Sequence, residues 1–180
     1  MLTIVVPGVE SYDEKLEQFI TIGDVTLELE HSLVSLSKWE SEFEKPFLGK
    51  TEKTLDETLA YIRCMIVGTI PPGDFLERLS KENLETISHY IERKMTATWF
   101  SDQPGAPRSR EVITSELVYY WMTVFDISFE CERWHLNRLF TLIRICNVKQ
   151  AKPKKMSRSE VAARNRELNA QRRAQLGTRG

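Results

Sequence analysis

The stretch FECERWHLNRLFTLIRICNV (129–148) runs directly into KQAKPKKMSRSEVAARNRELNAQRRAQLGTRG (149–180), and the change of character at that junction organises the reading of the chain. Phe129, Leu136, Leu139, Phe140, Leu142, Ile143, Ile145, Cys146 and Val148 would cover most of the circumference of a helix. Such a helix is normally enclosed, so the first segment predicts the centre of a bundle of about five helices. The second segment has almost nothing to bury. Pro153 stops the helix, and Ser157 with Glu160 forms a capping-box pattern, which predicts a further helix from Arg158 to about Gln175 that gains order from a partner.

Charge divides at the same place. From Lys149 onward four Lys and six Arg face two Glu, a net +8; with the whole chain at −1, residues 1–148 carry −9. The expected organisation is an acidic helical body over 1–148 and a basic linker and arm over 149–180. An asymmetry of this size speaks to partners or self-association and says little about fold. A chain of 180 residues, 41% hydrophobic, has room for one core. Cys64, Cys131 and Cys146 lack C-x-x-C spacing, which suggests neither a disulfide framework nor a zinc ribbon and fits a reducing compartment. The opening MLTIVVPGVESYDEK has no basic region ahead of its apolar residues, and no run approaches the ~20 apolar residues of a membrane span. A soluble cytoplasmic protein is expected.

The body opens with two alternating segments, Leu2-Ile4-Val6 and Val25-Leu27-Leu29, read as strands that pair across a connection from Glu10 to Ile22. A lone ribbon is marginal in water, so it must lean on helices or find a third strand. Leu33, Leu36, Trp39 and Phe43 then recur at helical spacing between a Ser32 cap and Pro46. Thr54 and Glu57 make a capping box for a helix closed by Gly68. Residues 74–79 suit a short helix, and KENLETISHYIERKMTA (81–97) a longer one with Leu84, Ile87, Ile91 and Met95 on its buried stripe. Pro104, Gly105 and Pro107 mark a loop; helix resumes near Ser109 and runs through Val112, Ile113, Leu117, Tyr120, Trp121 and Val124. The predicted fold is mainly α: a helical bundle, a small N-terminal β-hairpin and a basic C-terminal helical arm.

The arm carries the strongest candidate site: Lys152, Lys154, Lys155, Arg158, Arg164, Arg166, Arg172 and Arg173. These side chains have charge enough for several phosphates, but no aromatic ladder or recognition-helix context accompanies them. A protein partner is therefore favoured over nucleic acid. Trp99 and Phe100, beside the loop, form a second candidate contact, since a Trp on a loop can anchor an interface, although packing into the core is the plainer reading of each singly. Cys131 and His135 stand at i, i+4 and would share a helix face, yet Cys146 lies about 16 Å further along and cannot complete a metal site with them. Core thiols and a core-edge histidine are the plainer reading. Glu40 and Glu44 read as surface carboxylates. The chain has no G-x-S-x-G, H-E-x-x-H, G-x-x-x-x-G-K or G-x-G-x-x-G, so neither enzyme chemistry nor a cofactor or metal is expected.

Three strings, LELEHSLVSLSKWESEFEKPFLGK (27–50), KMTATWF (94–100) and the run from CERWH at 131 to the end, resemble small proteins from the structural-gene blocks of long-tailed bacteriophages and prophages, those assigned as tail assembly chaperones. The resemblance spans residues 27–180 and is densest in the helix-and-arm stretch. It implies a factor that binds the long tape measure protein in the bacterial host cytoplasm, keeps it soluble and promotes polymerisation of tail tube protein around it. It implies no catalytic residues. Self-association through basic arm and acidic body is a further expectation. The competing one is a virion structural protein of the head-tail junction or neck, whose arm contacts DNA or the portal.

Overall fold

A computed structural model describes residues 1–13, 17–49, 52–100, 111–150 and 158–177. The chain divides into two units, Met1–Asn147 and Val148–Gly180. The chain is mainly α, with strands confined to its first thirty residues.

Strands β1 (Leu2–Val6) and β4 (Val25–Leu29) pair antiparallel, with Ile4 opposite Leu27 and Val6 opposite Val25. The period-2 pattern decides the pairing. Ile4, Val6, Leu27 and Leu29 are buried, while Thr3, Val5, Thr26 and Glu28 face outward. The 9–22 connection is not a loop. It forms its own hairpin, β2 (Val9–Asp13) with β3 (Gln18–Ile22), in register Val9 to Ile22 and Tyr12 to Phe19.

Helix α1 (Leu33–Phe43) is capped reciprocally by Ser32 and Ser35, and α2 (Leu55–Cys64) by Thr54 and Glu57. Helix α2 ends at Cys64, short of the Gly68 stop expected from sequence. Residues 65–67 instead run along β4: Glu30 N–H donates to Met65 O (2.8 Å) and Val67 N–H to Glu28 O (2.8 Å). That backbone pairing supplies the third extended segment the ribbon needs. A 3₁₀ turn, Phe75–Arg78, leads to α3 (Lys81–Glu92), capped by Ser80 and Asn83. Helix α3 stops five residues before the expected Ala97, because the Asn137 amide donates to the carbonyls of Ile91 (3.0 Å) and Arg93 (2.8 Å) and satisfies that end from outside.

Helix α4 (Ser115–Val124) begins at a Thr114 cap, later than expected, and Ser109 lies outside the described residues. Its buried stripe is Ser115, Val118 and Met122, so Tyr120 and Val124 face outward.

The segment 129–148 is not one enclosed helix. Ser128 caps a 3₁₀ turn, Phe129–Arg133; Trp134 is extended, and α5 (Leu136–Gln150) starts afresh. The break is held by pairing across the chain: His135 bridges to Ser32, and Leu136 N–H donates to His31 O (2.7 Å). Cys131 and His135 therefore do not share a helix face. Helix α5 buries Leu136, Leu139 and Ile143, leaving Phe140, Leu142 and Ile145 half-buried and Val148 exposed. Helix α6 (Arg158–Leu176) follows in the second unit; Pro153 and Ser157 lie outside the described residues.

The helix at the centre is α1. Trp39 packs with the sheet, α2 and α3, stacking on Phe43 and donating from its indole to Glu57 O (2.9 Å). Leu33 and Leu36 pack with α4, Cys131 and α5. Phe47, stacked on Tyr61, touches both clusters. Glu40 joins them too, and is buried, contrary to its reading as a surface carboxylate. Its Oε1 accepts from Phe47 N–H (2.8 Å) and its Oε2 from Ser115 N–H (2.6 Å). Glu44 closes the helix in the left-handed conformation (φ 51°) and is exposed.

Where α1 meets α5 lie two buried histidines, ring centroids 5.2 Å apart. Tyr61 OH, whose pKa burial raises, shares a hydrogen bond with His31 Nδ1. His135 donates from Nε2 to Tyr90 O (3.1 Å) and accepts Asn137 N–H at Nδ1 (3.3 Å), which fixes it as the neutral Nε2 tautomer. Burial first, then the neighbouring His135, lowers the His31 pKa to about 4; burial also lowers that of His135.

Two outcomes are expected. Glu40→Gln leaves one acceptor oxygen for two buried N–H groups and should cost about 2–3 kcal/mol, read as a lower urea midpoint. Because the native fold disfavours protonated His31, stability present above pH ~6.5 is lost as pH falls toward 4, the unfolded chain binding the extra proton. The His31 share at pH 4.5 is about 2–3 kcal/mol, and urea midpoints from pH 7 to 4.5 should fall less steeply for His31→Asn than for the wild type.

Candidate functional site

Helix α6 has no buried residue: each of its described side chains is exposed, the three large apolar ones, Val161, Leu168 and Leu176, included. At 100° per residue these three fall within about 80° of one another, a narrow seam. Arg172 projects from within the seam and Arg158 beside it; Arg164 borders one side, Arg166 and Arg173 lie further round the other, and Glu167 projects from the back. Arg166 Nε donates to Ala162 O (3.3 Å), folding that side chain along the helix. Five of the eight sequence-assigned arm cations thus lie on one exposed helix. Lys152, Lys154 and Lys155 lie outside the described residues. A helix with so little to bury gains little from its own sequence and is suited to docking.

Trp99 and Phe100 sit beside cations of the body. Lys94 Nζ lies 4.1 Å from the Trp99 ring centre and the Arg144 guanidinium 4.2 Å from that of Phe100. Trp99 is 73% exposed and Phe100 half-buried. Together with Asn137 and Thr141 they line a shallow groove of about 260 Å³. A larger cleft, about 430 Å³, opens between the start of α1 and the end of α2, lined by Glu30, Ser35, Lys38, Cys64 and Arg133 among others. Its Glu30 is engaged by the Tyr90 hydroxyl (2.8 Å) and the Met1 ammonium (2.8 Å), and burial raises the Cys64 thiol pKa, which keeps it protonated. Among the described residues no group of three or more His, Cys, Asp or Glu is placed to hold a metal, and no helix is long and apolar enough to cross a membrane.

Two exposed apolar surfaces escaped the sequence reading. On the β2–β3 hairpin Tyr12 and Phe19 meet edge to face at 5.2 Å and belong to neither core cluster. The ribbon's base is fixed: Gly8 N–H donates to Asp24 Oδ1 (2.7 Å), and Arg78 donates to Pro7 O (3.0 Å). A side chain at position 8 would come 2.4 Å from Ile22 O, so only glycine allows this closure. The second surface is the outer face of α4. Tyr120 and Val124, one turn apart, are exposed; Phe129, also exposed, packs on Tyr119 with ring centres 6.0 Å apart. Tyr119 OH donates to Glu132 Oε2 (2.9 Å); burial and that carboxylate push its pKa up to about 12. The signal was present in sequence as charge: residues 111–132 hold Glu111, Glu116, Asp126, Glu130 and Glu132 and no Lys or Arg.

No protein-family model matches the chain, and no curated protein or solved structure matches it.

Proposed function

We propose that this chain is an assembly factor acting by protein binding: a tail assembly chaperone of a long-tailed bacteriophage that holds the tape measure protein in the host cytoplasm and promotes tail tube assembly. The observation that supports this best is α6, nineteen residues of helix carrying five Arg and two Glu, with none of its described side chains buried. A helix of that kind gains its stability from what it touches. A long, largely helical client offers amphipathic helices, which a narrow apolar seam bordered by arginines can meet by side-to-side packing, with the charges setting rate and register. Contacts of this type are modest and salt-sensitive, as suits a factor that must release its client when tube subunits arrive. The resemblance of residues 27–50, 94–100 and 131–180 to tail assembly chaperones points the same way.

A virion protein contacting DNA is the second reading. It is favoured by the groove in which Lys94 and Arg144 lie over Trp99 and Phe100, a pairing of cation and ring that also suits nucleic acid.

Removing residues 151–180 separates the two. The truncated chain should keep the wild-type helical circular dichroism of residues 1–150 and its urea midpoint, and should no longer co-purify with tape measure protein from infected cells. Retention of that partner would move the contact to the body. Capture of phage DNA at low salt by the full chain, lost on Trp99→Ala, would favour the virion reading.

A further inference from the structure

The exposed face of α4 and the exposed helix α6 are complementary in charge, and each carries a narrow apolar strip. The α4 face presents Tyr120 and Val124, with Glu116 one turn before them and Asp126 and Glu130 beyond the helix end, within a stretch of twenty-two residues that has five carboxylates and no cation. The α6 seam presents Val161, Leu168 and Leu176 among Arg158, Arg164 and Arg172. We infer that α6 of one copy docks on the α4 face of a second copy, its seam on Tyr120 and Val124 and its arginines against Glu116, Asp126 and Glu130. The inference rests on reading the arm as protein-binding, and names the occupant of that arm when no client is present.

Three observations select this pairing. First, the net charges are opposite and similar in size, +8 from Lys149 onward against −9 before it, so an arm laid on a neighbouring body brings opposite signs together. Second, the end of α4 is anchored before contact, because the Tyr119 to Glu132 hydrogen bond ties the helix to the following 3₁₀ turn, so less backbone freedom is left to lose there on docking. Third, two helices pack at 8–10 Å when apolar ridges one turn apart meet a facing groove. Tyr120 and Val124 supply such a ridge on a single face. The acidic β2–β3 hairpin, by contrast, splits its exposed apolar groups between two faces, Tyr12 with Phe19 on one and Val9 with Ile22 on the other. Arm and face are different surfaces, so the contact is heterologous: each copy has one arm to give and one face to fill, which builds rings or open arrays.

The test uses the full chain without client, in sedimentation velocity over a concentration series. Association should strengthen at low salt and weaken about tenfold or more on going from about 50 to about 300 mM salt. Arg158→Glu/Arg172→Glu and Glu116→Arg/Glu130→Arg should each give monomers with unchanged circular dichroism, and the quadruple variant should associate again. A wild-type chain that stays monomeric at low salt, as it would with the arm on its own body, overturns the inference. So does association indifferent to both reversals, or association lost only on Tyr12→Ser/Phe19→Ser, which would place the contact on the hairpin. Tape measure capture is scored separately. Intact capture by a chain that never self-associates sinks this docking alone, whereas lost capture by a chain that still self-associates sinks the chaperone reading and leaves the docking standing.

Discussion

The body depends on one buried carboxylate. Glu40 stands on the helix that both core clusters share, and it reaches the two backbone N–H groups that neither cluster could satisfy alone, at Phe47 and at Ser115. Through the first bond it turns the chain back after α1, placing Phe47 between Trp39 and Tyr61. Through the second it accepts from the first turn of α4, where a negative charge meets the positive end of the helix dipole. Apolar packing supplies most of the stabilisation, but it is non-directional. The two short bonds to one side chain decide how α4 is set against α1, and hence which face of α4 is left over.

That left-over face links fold to function. Once Ser115, Val118 and Met122 are committed to the core, Tyr120 and Val124 have to point away, and the carboxylates around them keep such a surface soluble. The arm shows the converse economy, arginines keeping a thin apolar seam in water. Each unit carries an exposed greasy strip guarded by one sign of charge, and the signs are opposite. This is the usual architecture of specificity: the apolar contact gives affinity, and the charges discourage every partner of the wrong sign, including a second copy of the same surface.

Much of the local structure was legible because it is written in neighbouring residues. The pairing of β1 with β4 follows from alternation, the cap at Ser32 from residue type, and the capping box at Thr54 from its spacing to Glu57. What sequence missed was decided at a distance. Nothing near Trp134 announces a break; the cause is His31 and Ser32, a hundred residues away, which take the backbone of Leu136 and His135 and outcompete helix continuation. Likewise α3 ends where Asn137 reaches it, and α2 where β4 offers a free edge. Apolar count alone made 129–148 look enclosed, although which side of a helix is covered depends on neighbours that periodicity does not identify. The arm's exposure was legible, since a segment with so few large apolar residues has little to bury. The α4 face was half legible, as a run of acids without a base.

The clamp at the foot of the β2–β3 hairpin bears on how this body can vary. Pro7, Gly8, Gly23 and Asp24 are fastened to one another and to Arg78, so the two ends of the 9–22 excursion are held together independently of what lies between them. Because closing a loop between fixed ends costs only slightly more as the loop lengthens, the intervening chain is thermodynamically insulated from the sheet beneath it. The hairpin is therefore a socketed part: shortened to a turn, lengthened, or exchanged for another sequence, it should leave β1, β4 and the core they cover in register, giving the molecule one place where recognition can drift while architecture stays put.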